Sequence, residues 1–470
     1  MFNKYRIIHF VGIGGVGMSG IAEVLHNLGY EITGSDVKGS DTTTRLKNLG
    51  IKIFIGHDGE NIDHAHVVVI SSAVSPDNPE VVEAKRRSIP VIPRAEMLAE
   101  LGRLKYGILV AGAHGKTTTT SLIATVLGEG GLDPTVIIGG KLKSMGSNAK
   151  LGQGDYIVAE ADESDGSFLK LNPTIAVITN IDREHMDYFM DMDVLKHAFL
   201  AFINKIPFYG IAVVCMENDY LREIIPLIQR KFLTYGLSEV ADIYAREIKH
   251  SGIRMSFEAV YKGRSLGIFT LPVPGRHNVL NSLAAIAVAI ELQIPVDVIA
   301  KALSNFSGIH RRFEFKGEAG EIKVFDDYGH HPSEIAATLK AARECFNGNR
   351  VVVLFQPHRY TRTRDLMDEF AVSFATGLDS SDRLFLMDIY PASERPIEGV
   401  NSETLAQRIR ETGFKNLSYI PARISDRKEL AEKIVSELKS GDVLITLGAG
   451  DVYKMGEEIL NKLRSVGVME

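Results

Sequence analysis

Tyr106-Gly107-Ile108-Leu109-Val110-Ala111-Gly112-Ala113-His114-Gly115-Lys116-Thr117 decides how the middle of this chain folds. An apolar run breaks at glycine, and a helical pattern with Leu122, Ile123, Val126 and Leu127 on its core face follows. Strand, glycine loop and helix in that order form the context of a phosphate-binding loop. Glycines let backbone N–H groups approach phosphate oxygens, and the helix N-terminus adds partial positive charge. In such a loop Gly112, Ala113, His114, Gly115, Lys116, Thr117 and Thr118 would cradle a nucleotide such as ATP. Lys116 would neutralise the β/γ-phosphates and the Thr117 hydroxyl would ligate Mg2+. The strict G-x-x-x-x-G-K-[ST] pattern fails, because its first glycine position is Val110. The alternative is a glycine-rich turn with a solvated lysine.

Working outward, short apolar runs alternate with helical patterns, which predicts α/β architecture with mostly parallel sheets. Strands are expected at Ile7–Val11, Glu31–Thr33 and Val67–Ile70, giving a Rossmann-like unit over residues 1–104. A second unit over 105–307 carries the strand at Tyr106 and others at Tyr156–Ala159, Ile175–Ile178 and Ile211–Val214. Its stretch from Ala241 to Phe269 alternates as antiparallel β does, and a helix over Val279–Leu292 closes it. A third unit over 308–470 has strands at Ile322–Phe325, Val351–Phe355, Leu384–Leu386 and Val443–Thr446. The expected fold class is therefore three consecutive α/β domains. The first is a Rossmann-like nucleotide-binding domain, the second a phosphate-loop ATPase-like domain, and the third again Rossmann-like.

Other strand ends carry chemistry. Glu160-Ala161-Asp162-Glu163-Ser164-Asp165 places four carboxylates after a buried strand, where α/β sheets put ligands. Their mutual repulsion calls for a cation; the alternative is a solvated acidic loop. Asn180-Ile181-Asp182-Arg183-Glu184-His185 follows another buried strand. Gly12-Ile13-Gly14-Gly15-Val16-Gly17 satisfies G-x-G-x-x-G, and Asp36 lies about 20 residues on, where a ribose-binding acid sits. Any pyrophosphate suits that loop, whether from NAD or a UDP-sugar, and so does a turn with no ligand. His277-Asn278-Val279-Leu280-Asn281 opens a helix. Its two asparagine amides could read an adenine edge, although N-capping by Asn278 is the plainer reading. Asp326-Asp327-Tyr328-Gly329-His330-His331-Pro332 and the run Gln356–Arg364 follow strands of the third unit. Arginines clustered there favour an anionic substrate, since a guanidinium fork binds two oxygens at once.

Composition bounds the rest. The chain has 470 residues, 45% hydrophobic and 24% charged, with a net charge of -6, which gives no sign of nucleic acid as partner. No apolar run reaches the ~20 residues of a membrane span. The N-terminal residues lack a signal-peptide pattern. Two cysteines exclude a disulfide framework or a cysteine zinc site. A cytoplasmic multidomain protein is expected.

Together these segments resemble the Mur ligases, the ATP-dependent amide-forming enzymes of peptidoglycan precursor synthesis. The match covers essentially the whole chain in the family's order, and the family's own loop is of the G-x-x-G-K-T kind. Gly12–Gly20, Asp326–Pro332 and Gln356–Arg364 most resemble the branch that joins L-alanine to UDP-N-acetylmuramate. The resemblance implies UDP binding by the first domain (Gly12, Ile13, Gly14, Gly15, Asp36, Ser71), ATP in the second and the amino acid in the third. It implies Mg2+ on Thr117, Glu160 and His185, with adenine beside His277 and Asn278 and the ATP ribose beside Asp327. Lys116, His185, Arg312 and His331 are then the catalytic candidates. Tyr328, His331, Arg359 and Arg362 would hold the acyl phosphate and the alanine carboxylate. Several sister ligases carry a carbamoylated lysine beyond the His185 position, where this chain has Lys196-His197. A monomer or weak homodimer is expected, and two linkers would let domains close over a water-sensitive intermediate.

The rival readings are an NAD oxidoreductase, a phosphate-loop switch or ATPase, sister ligases with other amino acids, and a folate-polyglutamate ligase. The first leaves the Lys116 loop idle, and the last should lack the first glycine-loop unit.

Overall fold

Runs such as Ile175-Ala176-Val177-Ile178 and Val351-Val352-Val353-Leu354-Phe355 are apolar at every position, the pattern of strands covered on both faces. In the computed structural model they lie at the centres of their sheets. The structure describes residues 6–71, 73–103, 105–142, 147–392, 394–421 and 427–467. The expected domain limit at Leu104 lies outside them.

Three sheets follow one another along the chain. The first has the order Lys52–Ile55, Glu31–Asp36, Ile7–Val11, Val67–Ile70, Val91–Pro93, with every pairing parallel. The second has ten strands, and its parallel centre runs Ile211–Cys215, Ile175–Ile178, Tyr106–Ala111, Tyr156–Glu160, Thr135–Leu142. One margin continues through Phe232–Gly236 to three successive strands, Ile243–Ser251, Arg254–Tyr261 and Arg264–Leu271. The two-residue connections between those three permit only antiparallel neighbours, as the alternation predicts. The third sheet has the order Glu314–Ala319, Ile322–Asp327, Val443–Leu447, Val351–Phe355, Arg383–Leu386, Leu417–Tyr419, with its first pair antiparallel.

The first two sheets belong to one compact unit and the third to another. Within the first unit the helix Val16–Asn27 packs on Thr135–Leu142 and Ser147–Lys150. Asn148 donates to the Val16 carbonyl at 2.6 Å, and Arg45 donates to the Asn148 carbonyl oxygen at 3.1 Å. The third sheet packs around Phe325, Phe355, Phe370 and Phe374 on one face and Leu354, Phe385 and Ile459 on the other.

Several expectations need correction. The helix expected from Val279 runs over Arg276–Glu291. Asn278 is thus its third residue and does not cap it. The strand expected to end at Thr33 continues to Asp36, under the first glycine loop. No helix among the described residues is long and apolar enough to cross a membrane.

Candidate active site

The Lys116 loop springs from the strand Tyr106–Ala111, whose neighbours are Tyr156–Glu160 on one side and Ile175–Ile178 on the other. All three point the same way, so the acidic run and the Asn180–His185 turn reach the same sheet end as the loop. Gly112 has φ +139, and a Cβ there would come within 2.9 Å and 3.0 Å of Asn180 backbone atoms. The loop therefore rests directly on the turn that leads to His185. Asn180 ties it further: its side chain accepts the His114 N–H at 2.8 Å and donates to the His114 carbonyl at 3.0 Å. The Thr179 hydroxyl donates to the same carbonyl at 2.6 Å, and His114 Nε2 lies 2.9 Å from Asp182. Gly115, with φ +80, starts the helix Lys116–Glu129, which carries Thr117 and Thr118 in its first turn.

Lys116 Nζ lies 3.0 Å and 2.9 Å from the two carboxylate oxygens of Glu163 and 3.2 Å from the Ala113 carbonyl. Glu163 is 2% exposed. Burial works against the ammonium, but the negative field of Glu163, Asp162 and Glu160 outweighs it and holds the lysine above its usual pKa. Burial pushes the Glu163 carboxyl up, against the pull of Lys116. The raised lysine keeps its proton and faces a carboxylate. Glu160 takes a different direction, accepting the Gly139 N–H at 2.6 Å. The sequence offers all four acids of this run, and the resemblance puts the metal on Glu160; Glu163 is the one that turns in to Lys116. Four acids in six residues give no local signal of which one turns inward.

Glu163, Glu184 and His185 bring one donor atom each to within 4.8 Å of one another. His185 sits at φ +57, ahead of the short helix Met186–Phe189. Two carboxylates suit a hard cation such as Mg2+, and the imidazole adds a softer donor. The donor set accommodates a divalent ion beside the phosphate loop. Lys196 pairs with Asp193 at 2.8 Å and Glu223 at 2.7 Å, as an ordinary charged lysine.

Asn281 lies over the other side of the loop. It takes the Thr119 hydroxyl at 3.1 Å and donates to the Asn278 carbonyl oxygen at 3.1 Å. Both asparagines are buried, so the pair fastens the helix Arg276–Glu291 to the Lys116 helix. His277, one residue earlier, is exposed.

The first glycine loop is braced from below. The Ser35 carbonyl accepts the N–H groups of Gly12 at 2.8 Å and Ile13 at 2.9 Å. Asp36 Oδ2 accepts that of Gly14 at 2.9 Å, so this carboxylate shapes the loop. Ser71 closes the opposite side, near Gly12. Arg94, unnoticed in the sequence, lies against Gly17 and reaches Asp162 at 3.2 Å.

In the third unit, Asp327 accepts the Phe313 and Gly329 N–H groups, each at 2.7 Å. Burial raises its carboxyl to about 6, despite the opposing Arg312 charge and these bonds. Arg312 lies 3.4 Å from Glu334 and over the Tyr328 ring. Arg311, with φ +61, is tied down instead by Asp326 at 3.1 Å and the Gly450 carbonyl at 3.1 Å. His331 is buried and caps the helix Pro332–Cys345, accepting the Ser333 N–H. Arg359, at φ +71, and Arg362 flank the start of the helix Tyr360–Asp365. Beside them His358 stacks on Tyr390, with ring centroids 5.5 Å apart. Burial, the neighbouring His330 and the two arginines push its imidazole down to about 3. Arg311 and Arg312 thus both lie over the Tyr328 ring, 4.9 Å and 5.3 Å from its centroid.

Known proteins match the chain along its length. Three family models match in succession: "Mur ligase family, catalytic domain" over residues 7–106, "Mur ligase middle domain" over 110–289 and "Mur ligase, glutamate ligase domain" over 311–450. The chain is 56% identical to the UDP-N-acetylmuramate–L-alanine ligase of Geotalea uraniireducens, with 99% of each chain covered. It is also 56% identical to that of Geobacter sulfurreducens, covering 98% of this chain and 99% of the relative. The crystal structure of the UDP-N-acetylmuramate–alanine ligase from Thermotoga maritima superposes with a TM-score of 0.82 at 29% identity, covering 98% of this chain and 99% of that one. Three successive models of one family span residues 7–450, and relatives more than half identical run the length of the chain: the chain belongs to the Mur ligase family.

Proposed function

We propose that this chain joins L-alanine to the lactyl carboxylate of UDP-N-acetylmuramate at the expense of ATP, in peptidoglycan precursor synthesis in the cytoplasm. The observation that carries the reading is the Lys116 loop set between two carboxylate-bearing strand ends, in a chain similar along its length to ligases of that name. The division of labour follows the three segments. Residues 1–104 take the UDP-sugar on Gly12, Ile13, Gly14, Gly15, Asp36 and Ser71. Residues 105–307 take ATP, and 308–470 take the amino acid. The chain works as a monomer or weak homodimer.

The lactyl carboxylate attacks the γ-phosphorus of ATP, giving an acyl phosphate and ADP. The alanine amine then attacks the acyl carbon, and the tetrahedral intermediate expels phosphate. The first difficulty is charge, since an anion must approach a triphosphate. Close anions in a low-dielectric site repel by several kcal/mol. Lys116 offsets part of this by turning from Glu163 to the phosphates. Mg2+, held by Thr117, His185 and the acids Glu160 or Glu163 and Glu184, supplies further charge neutralisation when bound. Arg312 neutralises the transferred phosphoryl group, with Asp327 at the ATP ribose and His277 and Asn278 near adenine. His331, Arg359 and Arg362 orient the acyl phosphate and the alanine carboxylate, and Tyr328 limits the pocket for the methyl group.

The test is ADP release with UDP-N-acetylmuramate and each common amino acid in turn. Turnover that needs both the sugar nucleotide and L-alanine supports the reading. ATP hydrolysis indifferent to both would replace it with a switch or ATPase.

A further inference from the structure

Beneath the first glycine loop lies a buried polar cluster that the ligase reading leaves without work. Glu80 has no exposed surface. It sits in the first turn of the helix Pro79–Arg86, its N–H held by the cap Asn78 at 3.0 Å. Its Oε2 accepts the Ser35 hydroxyl at 2.6 Å and lies 3.1 Å from His57 Nδ1. Its Oε1 accepts the Asn61 amide at 2.6 Å and lies 3.6 Å from His9 Nε2. His9 and Ser35 are equally sealed from solvent, and His9 Nδ1 is 2.8 Å from the Thr33 hydroxyl. Burial raises the Glu80 carboxyl, but the nearby His9 ring and the hydrogen bonds from Ser35 and Asn61 outweigh it and hold the carboxyl below its usual range, so the group is an anion at neutral pH.

A domain that needed only stability could fill this space with apolar side chains, often at no loss. The connection of Ser35 suggests a more specific use. Its hydroxyl is on Glu80 while its carbonyl receives the N–H groups of both Gly12 and Ile13. One residue later, Asp36 receives that of Gly14. Three consecutive loop amides are therefore set by the last two residues of one strand, and Glu80 fixes the first of those two. Those three N–H groups are committed inside the loop, so they set where the rest of its backbone stands, and diphosphate recognition depends on that placement to a fraction of an ångström.

We propose that Glu80 is a positioning residue for the diphosphate-binding loop, its carboxylate fixing the Gly12–Gly14 backbone through Ser35. This rests on the reading of that loop as the UDP-sugar site. Glu80 itself touches no substrate.

The test uses the full chain and two variants. Glu80→Gln keeps the shape and removes the charge, and Ser35→Ala cuts only the link to the loop. The expected result is a KM for UDP-N-acetylmuramate raised by about tenfold in both, with kcat and the KM for ATP within about twofold of wild type. Glu83→Gln, on the outer part of the same helix, should match wild type throughout. An unchanged KM for the sugar nucleotide, or a fall in kcat and Tm with no KM split, would overturn the proposal and leave Glu80 a purely structural group. If Glu80→Gln does not fold, Ser35→Ala decides alone. If wild type shows no turnover with UDP-N-acetylmuramate, the ligase reading fails separately. Calorimetric titration with UDP then decides: weaker binding by Ser35→Ala supports the proposal, and equal binding refutes it.

Discussion

Replacing Lys116 with alanine has two separable consequences. The ammonium lies within 3.0 Å of both Glu163 oxygens, and the two side chains are 16% and 3% exposed. Removing one member of a buried pair costs about 3–5 kcal/mol, because the remaining charge is left uncompensated. Lys116 is partly open to water, so about 3 kcal/mol is the expected loss. At urea slopes of about 1–3 kcal/mol per molar, that lowers the unfolding midpoint by about 1 M or more. The loss depends on pH with a definite sign. Burial already raises the Glu163 carboxyl, and without Lys116 it rises further. A carboxyl raised on folding stabilises while protonated and loses that contribution as pH rises through its folded value. Lys116→Ala should therefore be closer to wild type at pH 5 than at pH 8. Adding Glu163→Gln removes the orphaned charge and should restore most of the midpoint. ATP-dependent phosphate release should not return, since the lysine charge that faces the triphosphate is still missing; the loss from removing such a group is about 10²–10³-fold or more. Circular dichroism in urea and a phosphate-release assay on the three variants read both effects. A double variant as unstable as Lys116→Ala would refute the charge-balance argument. A double variant that regained turnover would show that Lys116 serves only to balance Glu163.

Asp327 titrates near 6 in the fold against an ordinary 3.8, so its ionisation costs the folded state about 3 kcal/mol, incurred as pH rises from about 4 to about 6. The stability difference between wild type and Asp327→Asn should therefore shift toward the variant across that window in urea titrations, and a flat difference would contradict the assignment. Gly34→Ala places a Cβ 2.7 Å from the Phe10 carbonyl and 2.6 Å from Ile13 Cδ1, so it should cost about 1–3 kcal/mol and lower Tm measurably. His185→Ala should raise the Mg2+ concentration for half-maximal ADP release by about tenfold at saturating ATP. An unchanged Mg2+ titration would detach His185 from the metal.

The parts of the site set by local chemistry were legible in the sequence. Gly112 and Gly115 adopt positive φ in a strand-to-helix turn, and such turns announce themselves through glycine. The acidic run and the Asn180–His185 run were placed at strand ends by their apolar neighbours. Their convergence on the Lys116 loop depends on strand order, which no single segment encodes. The choice of Glu163 as the partner of Lys116 is likewise a property of the folded loop. Thr135–Leu142 escaped recognition as a strand because Gly139-Gly140 reads as a turn. In the fold Gly139 stays in the strand, with its N–H on Glu160. Val91–Pro93 escaped because it ends in proline, which only a sheet edge tolerates, and an edge is where it lies. Asn278 misled for the opposite reason. A good capping residue lies inside its helix, buried against the Lys116 helix through Asn281.

The central claim is that a carboxylate takes the γ-phosphoryl group from ATP before any amine arrives. Positional isotope exchange tests it directly, using ATP labelled with heavy oxygen in the β,γ-bridge. The label should scramble into the β-nonbridge positions when UDP-N-acetylmuramate is present and L-alanine is absent, and Lys116→Ala should abolish the scrambling. A label that moves only when alanine is added, or moves without the sugar nucleotide, would contradict an acyl-phosphate route.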